Sequence, residues 1–178
     1  MLIKNTNSRY GLIAILLHWI VAILMIGLFA LGLYMVELPI SLSKLQYYGF
    51  HKEYGLLVLG LALLRLVWRF INKTPNLDLR WLEKFAARAV HWLFYGFMLA
   101  LPITGRLITS AAGLPVSVFG WFVLPNLIAP NHDLMPVLEM IHQYLAYAFM
   151  AVLCLHVLAA FKHQWINRDG ILRRMWLW

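Results

Sequence analysis

Long apolar stretches alternate with short polar connections along this chain. Four stretches are long enough to cross a hydrocarbon layer, which takes roughly 20 helical residues. They are Gly11–Val36, Gly49–Ile71, Ala89–Ser110 and Pro136–Phe161. The connections between them are Glu37–Tyr48, Asn72–Arg88 and Ala111–Met135. The pattern predicts an all-α fold, an integral membrane four-helix bundle in which residues 1–178 form a single domain.

Composition strengthens the membrane interpretation and gives an orientation. The chain is 63% hydrophobic and 12% charged, with a mean hydropathy of +0.76, which is outside the range of ordinary soluble domains. Its net charge is +8, and the basic residues cluster before the first apolar segment, between the second and third, and after the fourth. By the positive-inside rule, both termini are predicted to be cytoplasmic in a bacterial inner membrane. The charge therefore indicates topology and lipid contact, with no nucleic acid as partner.

Two histidines in the fourth apolar segment carry the strongest chemical signal. His142 and His156 are fourteen residues apart, which at 100° per residue is about 40° short of four turns, so both project from one helix face about 21 Å apart. A histidine within hydrocarbon is costly and must be paired, solvated or bound to something. The spacing predicts two ligands at two depths of the membrane.

Depth then assigns partners to these two histidines. His18 lies early in the first helix, level with His156 late in the fourth, and His51 opens the second helix, level with His142. Haem iron takes one axial nitrogen from each side, so each pair can hold one haem. The alternative is that the four are polar residues that bridge helices. Because Cys154 is the only cysteine, covalent attachment is excluded and the prediction is two non-covalent b-type haems, with His18, His51, His142 and His156 as iron ligands.

Two arginines in the apolar segments are predicted to contact the haem propionates. Arg65 lies fourteen residues after His51 on the same face, near the inner level, and Arg106 lies near the outer end of the third helix. A guanidinium can neutralise a carboxylate through charge-assisted hydrogen bonds. Snorkelling to the membrane surface or pairing between helices is the alternative for both.

The remaining histidines suggest a second set of roles. His91 opens the third helix and His163 follows the fourth, both on the inner side. Either imidazole can hydrogen-bond a quinone oxygen or relay a proton, and packing at the haem edge or exposure is the alternative. His132 is expected to be a solvated loop residue.

These features together resemble the bacterial cytochrome b561 family, which is related to the cytochrome b subunits of hydrogenase and formate dehydrogenase. The resemblance spans the chain. It rests on Leu17-His18-Trp19, on His51 followed by Arg65 and Arg69, on His91-Trp92, on the His142/His156 spacing, and on Lys162-His163 followed by Asp169 and Leu172-Arg173-Arg174-Met175. The resemblance implies a di-haem protein that passes electrons between membrane quinone and a donor or acceptor outside. Some members oxidise superoxide and reduce ubiquinone.

Three functional classes remain open at this point. The first is a stand-alone di-haem oxidoreductase, and the second is a cytochrome b anchor that conducts electrons between a partner dehydrogenase and quinone. The third is a non-redox, histidine-lined carrier, which the lack of carboxylates within the spans disfavours. Lys44 and Lys52 lie near the outer face and would attract an anion, which favours superoxide as the donor.

The long outer connection admits two interpretations. Ala111–Met135 contains five glycines and prolines among aromatic residues such as Trp121. Tryptophan is enriched at membrane surfaces, so an aromatic belt is one interpretation. The other is a lid over an outer redox site.

Overall fold

The computed structural model describes residues 2–76 and 79–176 and consists mainly of four long helices. They are α1 Leu12–Glu37, α2 Leu42–Ile71, α3 Trp81–Ala111 and α4 Met135–Phe161. In the described ranges, each of these helices is long and apolar enough to span a membrane. The predicted all-α membrane fold with four spans is therefore confirmed.

Two of the helices begin earlier than hydropathy predicts. α2 starts at Leu42 rather than Gly49, because the Ser41 side chain accepts a hydrogen bond from the Lys44 N–H (3.2 Å) and caps the first turn. α3 starts at Trp81 rather than Ala89. The predicted loops 37–48 and 72–88 are thus too long. The additional turns mix charged residues such as Lys44 and Lys84 with apolar and aromatic ones, because helices of about 45 Å extend beyond a hydrocarbon core of about 30 Å.

Packing in the bundle is uneven. Within the described part of the chain, α1 packs along α2, α2 along α3 and α3 along α4, whereas the α4 backbone stays apart from those of α1 and α2. A central apolar cluster joins all four helices and comprises Val21, Met25, Val58, Ala62, Tyr95, Met98, Leu101 and Phe149. This cluster holds the middle of the bundle, and a cavity lined by His18, His91 and His156 adjoins it at one end.

The connection between α3 and α4, called the outer connection after its predicted side of the membrane, contains a small hairpin that the sequence pattern did not predict. Strands β1 Val116–Val118 and β2 Phe122–Leu124 pair antiparallel, and Phe119 and Gly120 form the turn with φ of 50° and 74°. Trp121 is 85% exposed at this turn. The hairpin shortens a long loop into a compact cover at one end of the bundle.

The opposite end of the bundle gathers three separate parts of the chain. Asn5 Nδ2 donates to the carbonyl of Lys73 (2.8 Å), and Asn76 N–H donates to the carbonyl of Asn7 (2.8 Å). After α4, a π-helical segment, Lys162–Asn167, and a 3₁₀ turn, Leu172–Met175, bring the C-terminal region back to the bundle. Arg174 Nη1 donates to the carbonyl of Asn76 (2.5 Å). The three basic regions of the sequence therefore meet at one end.

Candidate haem-binding sites

The inner site brings together the predicted pair His18 and His156. Their ring centres are 6.4 Å apart with an interplanar angle of 69°. The rings come from α1 and α4, two helices whose backbones do not pack closely. The two imidazoles meet in the space between these helices.

The outer site has the same construction at the other end of the bundle. His51 of α2 and His142 of α4 have ring centres 6.2 Å apart and an interplanar angle of 73°. As with α1 and α4, the backbones of α2 and α4 do not pack closely against each other. One helix, α4, therefore contributes a histidine to each site, as its fourteen-residue spacing predicts.

The spacing within each pair suits a bridging metal ion. Two imidazoles on opposite sides of one ion, each bound through about 2 Å, have ring centres about 6 Å apart. That distance is too long for a direct hydrogen bond between two ring nitrogens that point at each other. The ring spacing leaves room for one metal ion within each pair, and the assignment of these histidines as iron ligands stays a prediction.

Unpartnered polar atoms mark both sites. Among the described residues, the buried side-chain atoms without a hydrogen-bond partner are His51 Nδ1 and Trp68 Nε1. His51 belongs to the outer pair, and Trp68 lines the same cavity as His18 and His156. A buried N–H without an acceptor costs about 1–3 kcal/mol. The Trp68 N–H lines the inner cavity and is free to donate to a polar group there, such as a carboxylate, whereas His51 Nδ1 lies on the side of its ring that faces Gly32 of α1.

Two glycines let helices approach the outer rings closely. A Cβ placed on Gly32 of α1 would lie 3.4 Å from His51 Cε1, and one on Gly105 of α3 would lie 3.5 Å from His142 Cε1. A Cβ at either position would be in van der Waals contact with the ring, so side chains longer than alanine would have to extend around it. These glycines are functional residues that the sequence interpretation missed, since glycine is frequent in membrane helices for many reasons.

Arg65 lies at the inner site, as predicted, but contacts histidine. Its Nη2 is 3.0 Å from His18 Nδ1, and its guanidinium lies 5.7 Å from the Tyr95 ring centre. Tyr10 lines the same cavity. Burial raises the pKa of the Tyr10 phenol, against the opposing charges of Arg69 and Arg65. The phenol is therefore a neutral donor beside two cations, a setting suited to a carboxylate.

His91 is part of the inner site as well. Its ring centre is 6.2 Å from that of His156, about as far as the His18 ring, and it lines the same cavity. The structure therefore places His91 at the inner site, while its role toward quinone and the alternative of packing at a haem edge both stay predictions. Phe94, one turn further along α3, packs its ring 5.3 Å from His156.

Arg106 is engaged with the outer connection. It is 6% exposed, and its Nη2 donates to the carbonyl of Pro125 at 2.6 Å. Its Nη1 lies 3.5 Å from the Thr109 hydroxyl. Through its hydrogen bond to Pro125, Arg106 attaches the outer connection to α3. The predicted contact of Arg106 with a haem propionate stays a prediction.

Thr104 is a neighbour of the outer pair that the sequence interpretation did not identify. Its hydroxyl oxygen is 2.9 Å from His142 Nδ1. The two residues are on adjacent helices, α3 and α4. No spacing rule connects a threonine to a histidine 38 residues away, so this contact was not predictable.

The predicted anion-attracting lysines differ in their surroundings. Lys44 Nζ donates to the carbonyls of Val36 (3.1 Å) and Leu38 (2.6 Å), so it caps the end of α1. Lys52 is half-buried and follows His51 directly. Lys52 is therefore the better placed of the two beside the outer site.

The remaining inner histidine, His163, sits in the π-helical segment. Its Nδ1 is 2.5 Å from Asp169 Oδ2 and 3.2 Å from Asn167 Nδ2. Burial raises the pKa of the Asp169 carboxyl, but hydrogen bonds from His163 and the Ile171 N–H outweigh it, and the net pKa is lowered. His132 is exposed, as predicted.

The fold and the two histidine pairs are typical of a class of proteins, the multi-pass membrane cytochromes that hold haem between helices. Residues 9–178 match the profile of the family described as Prokaryotic cytochrome b561. The chain belongs to this family. It is therefore a bacterial multi-pass membrane cytochrome with a role in electron transfer, and the family implies b-type haem.

Individual relatives agree with this assignment. The chain is 35% identical to "Cytochrome b561 homolog 2" of Escherichia coli, over 98% of this chain and 95% of the relative. It is 27% identical to "Probable superoxide oxidase CybB" of Yersinia pestis, over 95% of this chain and 96% of the relative. It is 29% identical to "Cytochrome b561 homolog 1" of Escherichia coli, over 70% of this chain and 72% of the relative.

Proposed function

We propose that this chain binds two b-type haems and carries electrons across the membrane between an outer donor and a quinone. The proposal rests on the presence of two histidine pairs with similar geometry. The ring centres are 6.4 Å apart in His18–His156 and 6.2 Å apart in His51–His142. In this proposal the inner pair and the outer pair each hold one iron. Bound haem supplies one-electron transfer between the two levels.

The inner site implies a change in the contact of Arg65. A neutral imidazole that binds iron through Nε2 carries its proton on Nδ1, and a guanidinium has only donors. The present contact between Arg65 Nη2 and His18 Nδ1 is then a contact between two donors, which is repulsive. Arg65 is therefore released from His18, and with Tyr10 and Trp68 nearby it is positioned to bind propionate oxygens.

The chemistry proposed at the outer face is superoxide oxidation. Two superoxide ions each give up one electron and leave as O₂, and ubiquinone takes up the two electrons with two protons to become ubiquinol. The support is the similarity to a relative named for superoxide oxidase activity and the position of Lys52. A cationic entrance raises the encounter rate with an anion, and salt screens that effect over about 8–10 Å.

The quinone is proposed to bind at the inner end, near His163. His163 is hydrogen-bonded to Asp169, and a pair of this kind can pass a proton toward a reduced quinone oxygen. Lys162 is paired with Glu83 of α3 at 3.4 Å, which fixes the π-helical segment against the bundle. Both termini are proposed to be cytoplasmic, since the three basic regions share this end.

The anchor function is the second candidate. A cytochrome b subunit would use the same haem sites but take its electrons from a partner dehydrogenase. The exposed hairpin turn at Trp121 is the feature that favours it, because exposed tryptophan is enriched at protein contacts. The two candidates differ in whether the isolated chain reacts with superoxide.

The test is reduction of the purified, haem-loaded protein by enzymatically generated superoxide, followed by haem absorption with ubiquinone absent and present. We expect fast haem reduction that superoxide dismutase abolishes, and reoxidation on adding ubiquinone. Lys52→Gln should slow reduction several-fold and weaken its dependence on ionic strength. Lys73→Gln, at the opposite end, is the matched control and should react like the wild type. Equal rates with and without dismutase would favour the anchor function.

A further inference from the structure

We propose that Thr104 is a positioning residue of the outer haem, whose hydroxyl accepts the Nδ1 proton of His142 and so turns the His142 Nε2 lone pair toward the iron. The inference rests on the proposed role of His142 as a ligand. It assigns to α3 a part in haem binding, although α3 contributes none of the four paired histidines.

The direction of the hydrogen bond follows from the neighbours of the hydroxyl. Thr104 Oγ1 is 2.9 Å from the carbonyl oxygens of Ala100 and Leu101. A carbonyl only accepts, so the one hydroxyl hydrogen is directed to these oxygens. At His142 Nδ1, also 2.9 Å away, the hydroxyl is left to act as acceptor. His142 Nδ1 then carries the proton, and Nε2 carries the free lone pair.

The local sequence of α3 makes this contact possible. Pro102 lies inside the continuous helix α3 and cannot donate a backbone hydrogen bond to the preceding turn. Gly105, with no side chain, lets the His142 ring pack directly on the α3 backbone, 3.5 Å from the position of a Cβ. Thr104 and Gly105 therefore both lie against the Cε1–Nδ1 side of one imidazole, so α3 contacts the ring beside the nitrogen that Thr104 meets.

The inner site is organised differently, which makes the proposal specific to the outer haem. His18 Nδ1 faces the donor Arg65 at 3.0 Å, whereas His142 Nδ1 faces an acceptor. A ligand histidine that donates its second N–H becomes more basic and binds the metal more firmly. More basic ligands favour ferric iron, so Thr104 lowers the reduction potential of the outer haem relative to a site without it.

The test compares Thr104→Val, which has nearly the same shape without the hydroxyl, with Thr104→Ser, which restores it. Purified full-length protein is titrated potentiometrically, and the ferric haems are examined by electron paramagnetic resonance. We expect Thr104→Val to raise the outer potential, alter only the outer ferric signal and weaken retention of that haem about 10- to 100-fold. Thr104→Ser should resemble the wild type.

Ile103→Val, the adjacent and 44% exposed residue, is the matched control and should leave both haems unchanged. If Thr104→Val retained the wild-type potential and ferric signal, the proposal would be wrong. If Thr104→Val lost the outer haem, a similar loss in Thr104→Ser would overturn the proposal, and retention there would support it. A His142→Ala protein that still held two haems would instead refute the ligand assignment on which the proposal rests.

Discussion

At the residue scale, the inner site presents three imidazoles where two are needed. His156 has His18 on one side and His91 on the other, at 6.4 and 6.2 Å between ring centres. Distance alone does not rank them. His18 is preferred because it projects from α1, across the gap to α4, whereas α3 packs directly along α4 and leaves less room for a flat macrocycle between His91 and His156.

This preference predicts different consequences for two substitutions. His18→Ala should lose the inner haem, because one axial nitrogen is removed. His91→Phe should keep it, because an aromatic ring of similar size still fills the edge of the site. Haem absorption and redox titration of each purified variant measure the result. If His91→Phe lost the inner haem while His18→Ala kept it, His91 would be the ligand opposite His156 and His18 would only line the site.

Spacing and depth were enough to predict which histidines would meet, but not what surrounds them. Both pairings follow from helical periodicity and the direction in which each helix crosses the membrane. The contacts of Thr104 with His142 and Arg65 with His18 depend on side-chain packing between different helices. Neither a lone threonine nor a lone arginine carries a sequence signal for such a partner.

At the element scale, hydrogen bonds hold the outer connection against the ends of α2 and α3. Arg106 donates to the carbonyl of Pro125, Ser110 Oγ accepts from the Leu127 N–H at 3.0 Å, and Glu53 Oε1 accepts from the Phe119 N–H at 3.1 Å. The connection is therefore hydrogen-bonded to both α3 and α2, at the end of the bundle that contains His51 and His142. These tethers support the lid interpretation, and exposed Trp121 supports a membrane-surface contact for the same hairpin.

Arg106→Met should loosen this cover. The substitution keeps the apolar stem but leaves the Pro125 carbonyl without its donor, which costs about 1–3 kcal/mol. Faster amide hydrogen exchange across residues 112–134, with unchanged exchange in α1, is the expected outcome. Arg88→Met, at the inner end of α3, is the matched control. Unchanged exchange at 112–134 in Arg106→Met would contradict the tether.

Helix boundaries show where hydropathy stops being informative. The four spans were predicted, yet α2 and α3 extend through Lys44 and Lys84, which an apolar window excludes. Capping by Ser41 and the aqueous surroundings of the helix ends decide these boundaries. The hairpin was missed because its two strands have three residues each, too few for a recognisable alternation.

The π-helical segment after α4 should respond to acid. Because the Asp169 pKa is lowered in the folded protein, its contribution to local stability is present above the ordinary carboxyl pKa of about 4 and is lost as pH falls through the lowered value. The protection factors of amides 162–169, which remove the intrinsic pH dependence of exchange, should therefore fall on acidification. Asp169→Asn should abolish that dependence, and a pH response identical to the wild type would rule out Asp169 as its source.

At the scale of the whole molecule, the bundle separates two sites by an apolar core. The cluster around Val58 and Phe149 lies between the histidine pairs. The hairpin covers one end, and segments 2–11, 72–76 and 162–176 close the other. This arrangement gives each pair its own surroundings: a hydroxyl acceptor at the outer end, and arginines with a neutral phenol at the inner end. An electron path across a membrane requires this separation of donor and acceptor sides.

The most direct test of this account is the number of haems that each chain holds. After expression with adequate haem, a pyridine haemochrome assay on the purified protein should give two b-type haems per chain, one in His18→Ala and one in His142→Ala. His132→Ala, at an exposed loop residue, should keep two. A wild-type protein with one haem or none would contradict the assignment of two histidine pairs as haem sites.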